Sequence, residues 1–397
     1  MSEFAGKHIL IVIENLPAPF DRRVWQEAGT LRDMGAKVSI ICPKMEGFRK
    51  SRETIDDIDI YRHSLPAEGS GPLGYLLEYS IAIFWELVLS IRIFLRHRFD
   101  VIHGCNPPDL IFLVALPFKL LGVKYVFDHH DINPELYIAK FGRKGFFYRC
   151  MTFLERTTFR VADRSIATNE SYRKIAIERG KMSPEKVTVV RSGPSTERLI
   201  PGSGDPKHRN GKRFLIGYVG VIGVQEGLDL LLDAVSKLLE KRQDVQFAIV
   251  GGGTSLNETI ELAKELGLED HVKFYGRVSD ELLLEVLNTC DVCVNPDRPT
   301  EMNDLSTMNK VMEYMALKKP QVQFDLTEGR ASAADASLYA KKNDSADFAD
   351  KINELLESPE KRERMGEIGY QRVVGKLSWD HEQENLKRFY RELFQDR

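Results

Sequence analysis

The sequence predicts an α/β protein built as two doubly wound parallel-sheet domains facing across a cleft. Apolar strand-like runs alternate with helical patterns almost throughout. Continuous apolar strands separated by helices imply a parallel sheet covered on both faces. Near the middle, "IPGSGDPKHRNGK" (200–212) is rich in Gly, Pro and charge, has no hydrophobic period, and reads as a linker. At 397 residues the chain is also too long for one typical domain.

The expected strands of the first half are 8–14, 37–43, 57–63, 99–104, 124–130, 163–169 and 186–192. Those of the second half are 213–220, 245–253, 271–276, 291–296, 320–325 and 336–342. Ligands of such sheets sit beyond the carboxyl ends of the strands, so functional residues are sought in the segments that follow them.

Composition narrows the classes. Hydrophobic residues make up 43% and charged residues 29%, an ordinary globular balance. The net charge of −3 gives no global reason to bind nucleic acid. Five scattered cysteines read as reduced cytosolic thiols rather than a disulfide framework. The opening "MSEFAGKHILIVIENLPAP" has a short apolar run ending in Glu and prolines, so it reads as a first buried strand rather than a signal peptide. The stretch 72–98, "PLGYLLEYSIAIFWELVLSIRIFLRHR", is long and greasy, but Glu78, Glu86 and Arg92 interrupt it. Charges inside a bilayer are costly. A helix buried against the sheet is the leading reading, an interfacial helix its rival, and a span the last.

Several motifs carry little alone. "GGG" at 251–253 follows a strand without a Walker Lys or a full dinucleotide fingerprint. Cys290 and Cys293 have thioredoxin-like spacing but run into a buried strand, and read as small hydrophobes. In "DHHD" (128–131), adjacent strand residues point to opposite faces, so His129 and His130 cannot readily ligate one metal. One His at the strand's carboxyl end is a functional candidate, with a hydrogen-bonded structural His as the alternative.

"STMNKVMEYM" (306–315) says more. At helical spacing Met308, Val311, Met312 and Met315 form an apolar stripe, with Ser306, Asn309, Lys310 and Glu313 on the other side. Asp304, Ser306 or Thr307 is expected to cap this helix, whose free amides would favour a phosphate. A solvated Lys–Glu pair is the alternative reading of the polar face.

Strand, loop and helix with "KVMEYMALKKPQV" resemble the donor-site region of family 4 retaining glycosyltransferases, which have the GT-B fold of two Rossmann-like domains. The likeness continues in "FAIVGGG…DVCVNP", in "HHD" (129–131), in "ADRSIATNESYRK" (162–174) and in "LSWDHEQENLKRFYREL". It implies an acceptor-side domain over 1–199, the linker 200–212, a nucleotide-sugar domain over 213–375, and a last segment, 376–397, crossing back to the first domain. It further implies that Glu313 accepts hydrogen bonds from the donor ribose, that Lys310 faces the diphosphate, and that His130 lies by the transferred sugar. Gly220, Gln225, Gly252, Arg277, Val278 and Ser306 would border the donor. Three departures stand out. Leu305 occupies the place of a second Glu, so Asp304 or Glu301 would contact the sugar instead. Val221 and Glu226 stand where a phosphate-clamping Arg and Lys are usual. "NLPAPFDRRVW" replaces a Gly-Gly turn, making Arg22 and Arg23 candidates for phosphate or acceptor contact, with a solvated helix start as the alternative.

The resemblance implies retaining transfer of a hexosyl or N-acetylhexosaminyl group from a nucleotide-diphosphate sugar. The resemblance implies no cofactor and no divalent metal, since that fold normally manages without one. The expected acceptor is a glycan or lipid-linked oligosaccharide in cell-surface polysaccharide synthesis. Residues 141–160 hold five basic residues, one acidic and six aromatics. With 72–98 they suggest peripheral membrane contact of a cytoplasmic chain at the inner face of the membrane; ordinary core aromatics with a solvated basic face are the alternative reading. Two rivals are a sugar-nucleotide epimerase of the same fold and a lapsed sugar-nucleotide-binding scaffold.

Overall fold

The structure, a computed structural model, describes residues 2–65 and 71–395, with the backbone alone for 71–76. The side chains of 72–76 in the greasy stretch therefore lie outside the described residues. The chain forms two compact units, residues 1–192 with 382–397, and residues 193–381.

The first unit runs β1 (His8–Ile13), α1 (Arg22–Asp33), β2 (Lys37–Pro43), β3 (Arg52–Ile55), β4 (Ile58–His63), α2 (Gly71–Arg96), β5 (Val101–Cys105), α3 (Phe112–Lys119) and β6 (Lys124–His129). It continues through α4 (Asn133–Phe141), α5 (Phe146–Val161), β7 (Arg164–Ala167), α6 (Glu170–Glu178) and β8 (Val187–Val189). The sheet order is β3-β4-β2-β1-β5-β6-β7-β8. All six residues of β1 are buried, as a strand covered on both faces requires. Strand order reverses at β1, with β2 on one side and β5 on the other. The segments after β1 and β5 thus open at the switch point where doubly wound sheets bind ligands. The wholly parallel sheet expected needs one correction. Arg52–Ile55 adds an antiparallel edge strand on β4, and its half-exposed polar sequence lacks the buried apolar run that marks the others.

The second unit runs β9 (Phe214–Val219), α7 (Leu228–Leu239), β10 (Val245–Val250), α8 (Leu256–Glu265), β11 (Val272–Gly276), α9 (Asp280–Thr289), β12 (Val292–Asn295) and α10 (Glu301–Leu305). It then forms α11 (Asn309–Ala316), β13 (Gln321–Phe324), α12 (Thr327–Ala333), β14 (Ser337–Ala340), α13 (Ser345–Glu357) and α14 (Pro359–Arg372), and α15 (Trp379–Gln395) follows. Its sheet is parallel, ordered β11-β10-β9-β12-β13-β14, and reverses between β9 and β12. Helix α15 buries Leu386, Phe389, Tyr390 and Leu393, an i, i+3, i+4, i+7 stripe. Its residues from 382 onward belong to the first unit, where the Tyr390 hydroxyl lies 2.7 Å from His103 Nδ1.

The segment 200–212 is not a free linker. It is tied into the second unit: Arg209 bridges to Asp291, the Asp205 amide donates to Thr289 Oγ1 at 2.8 Å, and buried His208 lies 2.7 Å from both the Tyr275 hydroxyl and Glu285 Oε1. Its Gly and Pro content marked irregular backbone correctly, but these polar side chains anchor it. The unit boundary accordingly falls at 192/193 rather than at 199.

Candidate functional site

In the second unit the loops following β9, β10 and β11 interlock. The Gly220 amide donates to Val250 O at 3.1 Å, the Ile222 amide to Gly252 O at 3.1 Å, and the Gly251 amide to Gly276 O at 2.9 Å. Only glycine fits at 251: its φ is +142°, and a Cβ there would lie 1.8 Å from the Gly220 carbonyl oxygen. Gly252 lies under the Arg277 side chain, where an added Cβ would approach its Cγ to 3.2 Å. The glycines thus bring bare backbone to the carboxyl ends of the strands, with Val278 half-buried beside exposed Arg277.

Helix α11 presents its polar face next to these loops. Val311, Met312 and Met315 pack with Leu215, Val250, Val286 and Cys293 in the core, each burial stabilising by roughly 1.5–3 kcal/mol. Buried Tyr314 extends this face, its hydroxyl accepting from the Val219 amide at 2.9 Å. Met308 is the N-cap rather than a helical residue, and no side chain caps α11. The expected caps are used elsewhere because the short helix α10 intervenes. Asp304 accepts from the Thr327 amide at 3.1 Å and hydroxyl at 2.7 Å and pairs with Lys342 at 3.2 Å. Burial raises its carboxyl, but the Thr327 and Lys342 contacts hold it below its ordinary pKa. The Ser306 hydroxyl donates to Met302 O at 2.7 Å.

Lys310 lies against Gly220, its Cε 3.3 Å from where a Cβ would be. Its Nζ sits 2.8 Å from Asp297 Oδ1 and 4.9 Å from the Tyr218 ring centroid. Burial alone would lower its pKa, yet Asp297 and Tyr218 raise it above the ordinary value, so the ammonium keeps its charge at neutral pH. Burial pushes the Glu226 carboxyl up, with Lys310 opposing. Glu226 Oε2 accepts from the Gly223 amide at 3.0 Å, so this acid secures its own turn. The Gln225 carbonyl is held by Asn303 Nδ2 and the Arg298 amide at 2.9 and 3.0 Å. One turn further along α11, Glu313 accepts from Arg198 Nη2 at 2.7 Å. Arg198 was not singled out in the sequence. It stands 115 residues from Glu313, with no local pattern to mark it.

The first unit gathers a second group at the end of β6. His129 and His130 diverge as expected. His129 is buried against Phe159 and Tyr172, and burial pushes its pKa down to about 3. His130 Nε2 lies 2.5 Å from Asp128 Oδ2 and 2.9 Å from Arg23 Nε, so the ring sits between a carboxylate and a guanidinium. The His130 backbone amide donates to Asn106 Oδ1 at 2.7 Å.

Arg23 is not available to a phosphate. Buried, it reaches Asp128 Oδ1 at 2.9 Å and Glu27 Oε1 at 3.0 Å, and donates to Val190 O at 2.8 Å. Burial and these partners decide its role: it holds the Asp128 carboxylate that orients His130. Glu27, Asp128 and His130 are close enough to hold a metal ion, as are His103, Cys105 and Asp128. In both trios the shared carboxylate already carries the Arg23 cation. Arg22 is exposed.

A third group lies beyond β1 and β4. Glu86 of α2 is fully buried with its Oε1 4.0 Å from His63 Nε2. Burial pushes Glu86 up to about 8 and Glu14 up to about 7, and pushes His63 down to about 4.

Residues 205–372 match the family model described as glycosyl transferases group 1, and residues 21–193 match a glycosyl transferase 4-like domain. The chain is similar to the putative glycosyltransferase EpsD of Bacillus subtilis, 30% identical over 306 residues, 73% of this chain and 75% of that one. It is also similar to the alpha-D-kanosaminyltransferase of Streptomyces kanamyceticus, 27% identical over 183 residues, 46% of each chain. The chain spans about half the length of several of the curated relatives it matches. Among solved structures, Anabaena Alr3699/HepE in complex with UDP and glucose superposes with a TM-score of 0.75 at 16% identity, covering 97% of this chain and 100% of that one. This likeness bears on the fold, which is GT-B. With both units matched in order, the chain belongs to the group 1 glycosyl transferases with a 4-like first domain.

Proposed function

We propose that the chain is a retaining glycosyltransferase that moves a hexosyl or N-acetylhexosaminyl group from a nucleotide-diphosphate sugar to an acceptor hydroxyl. The observation that carries this reading is Lys310, a charged ammonium held by Asp297 against the bare backbone of Gly220. The donor reading is supported by Anabaena HepE, whose complexes hold UDP and UDP-glucose. Glu313 then accepts from the ribose hydroxyls, an interaction of roughly 1.5–3 kcal/mol for a charged acceptor, and Arg198 orients its carboxylate. Backbone amides of the 220–223 and 251–253 loops and Lys310 meet the charge that develops on the leaving diphosphate. The anomeric carbon gains oxocarbenium character, and the leaving phosphate takes the acceptor's proton on the face it vacates. His130, oriented by Asp128, steadies the transferred sugar. No divalent metal takes part in this scheme. The acceptor is a glycan or lipid-linked oligosaccharide at the cytoplasmic face of the membrane.

Ligand-observed NMR with uridine-, guanosine- and thymidine-diphosphate sugars, on wild type beside Glu313→Gln, tests the donor site. One series binding wild type and weakening at least tenfold in the variant is the expected result. Equal binding by both would remove Glu313 from the site, and no binding by any donor would set the reading aside. Undiminished turnover in chelator and a product with the donor's anomeric configuration are the companion expectations.

A further inference from the structure

We infer that helices α2, α3 and α5 of the first unit together form a docking face for an anionic lipid bilayer. Along α2, Leu77, Phe84 and Ile91 recur every seven residues, followed by Leu95, and all four are exposed. Heptad spacing keeps them on one outward line while the opposite side, with Glu86, faces inward. Helix α3 packs beside α2, with Phe94 and Phe118 rings 5.2 Å apart. It repeats the pattern in Leu113, Leu116 and, just past its end, Leu120, which is 89% exposed. Helix α5 packs beside α3 in turn, the Thr158 hydroxyl donating to Asp109 O at 2.9 Å in the loop before α3. Its outer face alternates Phe146, Arg149, Phe153, Arg156 and Arg160, all exposed. Scattered exposed apolar residues are normal on any single helix. Three adjacent helices with their apolar stripes turned outward make one extended patch.

Charge selects the occupant. Arg92 and Arg96 of α2 add to the three exposed arginines of α5. The acidic residues over 77–121 and 141–160 are Glu78, Glu86, Asp100, Asp109 and Glu155, and none is fully exposed. The face is thus apolar and basic on a chain whose net charge is −3. A second copy docked on it about a two-fold axis would set arginines against arginines. An anionic bilayer satisfies both features, taking Leu and Phe into the acyl boundary and Arg onto the headgroups. Among the described residues no helix is long and apolar enough to cross a membrane, and this mode of contact needs none. The inference rests on the proposed function for the membrane itself and supplies the surface that meets it; its failure would remove that contact and leave the donor reading, tested by nucleotide-sugar binding, intact.

The test is co-sedimentation of the full chain with phosphatidylcholine vesicles and with vesicles of phosphatidylcholine and phosphatidylglycerol, at low and high salt. Binding to the anionic vesicles alone, weakened by salt, is expected. Replacing Arg149 and Arg156 by Gln should weaken it about fivefold per residue. Leu120→Glu should weaken it as well, whereas Leu266→Glu, at an exposed site of the second unit, should not. No binding at low salt, equal binding to both vesicle types, or binding that ignores these α3 and α5 variants would each overturn the inference. So would a lipid-free dimer that Leu120→Glu dissolves, since a second copy would then own the face.

Discussion

Replacing Glu86 by Gln should make the protein less sensitive to alkaline pH. Glu86 is fully buried on α2, and among the described residues neither carboxylate oxygen finds a hydrogen-bond partner. Burial, with Glu14 adding to it, raises its pKa from 4.5 to about 8. Between those values the folded chain holds a proton that the unfolded chain has released, so stability falls as pH rises. The window spans 8 − 4.5 = 3.5 pH units, and at 1.36 kcal/mol per unit the loss reaches about 5 kcal/mol. That is comparable with the whole stability of many domains, about 5–15 kcal/mol. Gln keeps the shape and carries no titrating proton. Urea unfolding of wild type and Glu86→Gln should therefore give similar free energies near pH 5 and a gap of several kcal/mol favouring the variant near pH 8.5. Glu14 loses stability over part of the same range, and His63, depressed to about 4, loses its contribution only as pH falls below 6.5. The difference between the two proteins cancels the His63 contribution, and loss of the Glu14–Glu86 repulsion in the variant widens the gap at high pH. Parallel curves across this range would refute the assignment of a protonated buried carboxyl.

Other perturbations address the two candidate sites. Lys310→Met should weaken nucleoside-diphosphate binding by about 1.5–3 kcal/mol, and should also destabilise the fold by about 3–5 kcal/mol by stranding buried Asp297. Adding Asp297→Asn should recover stability but not binding, as melts and calorimetry would show; recovery of both would exclude Lys310 from the phosphate site. Gly251→Ala, whose Cβ would collide with the Gly220 carbonyl, should cost about 3 kcal/mol or more and abolish donor binding in titration. A variant that binds normally would disprove the interlocked loop. Arg23→Met should destabilise by about 3–5 kcal/mol by stranding buried Asp128, and a melting temperature equal to that of wild type would refute the clamp.

Much of the fold was legible because its signals are local. The five apolar residues of β1, Ile9 to Ile13, read directly as a strand buried on both faces, and the helical period of α11 separated Val311, Met312 and Met315 from Lys310 and Glu313. Where local signals were weak, the reading failed. Half-exposed Arg52–Ile55 lacked an apolar run, and Met308 looked helical by spacing although the chain turns there from α10 into α11. Polar loop composition made 200–212 look free because composition records polarity and says nothing of hydrogen-bond partners.

The sequence by itself determined most of the strands and helices, and which polar side chains lie at the carboxyl ends of the sheets. Those properties depend on near neighbours and on periodicity. Only the tertiary structure decided what each charge does. Arg23 and Asp128 lie 105 residues apart, and Arg198 reaches Glu313 across 115. An ion pair's worth depends on separation in space and on exclusion of water. The same Arg-Arg dipeptide that read as a phosphate contact therefore became one exposed cation and one buried clamp when the sheet brought Asp128 beside α1.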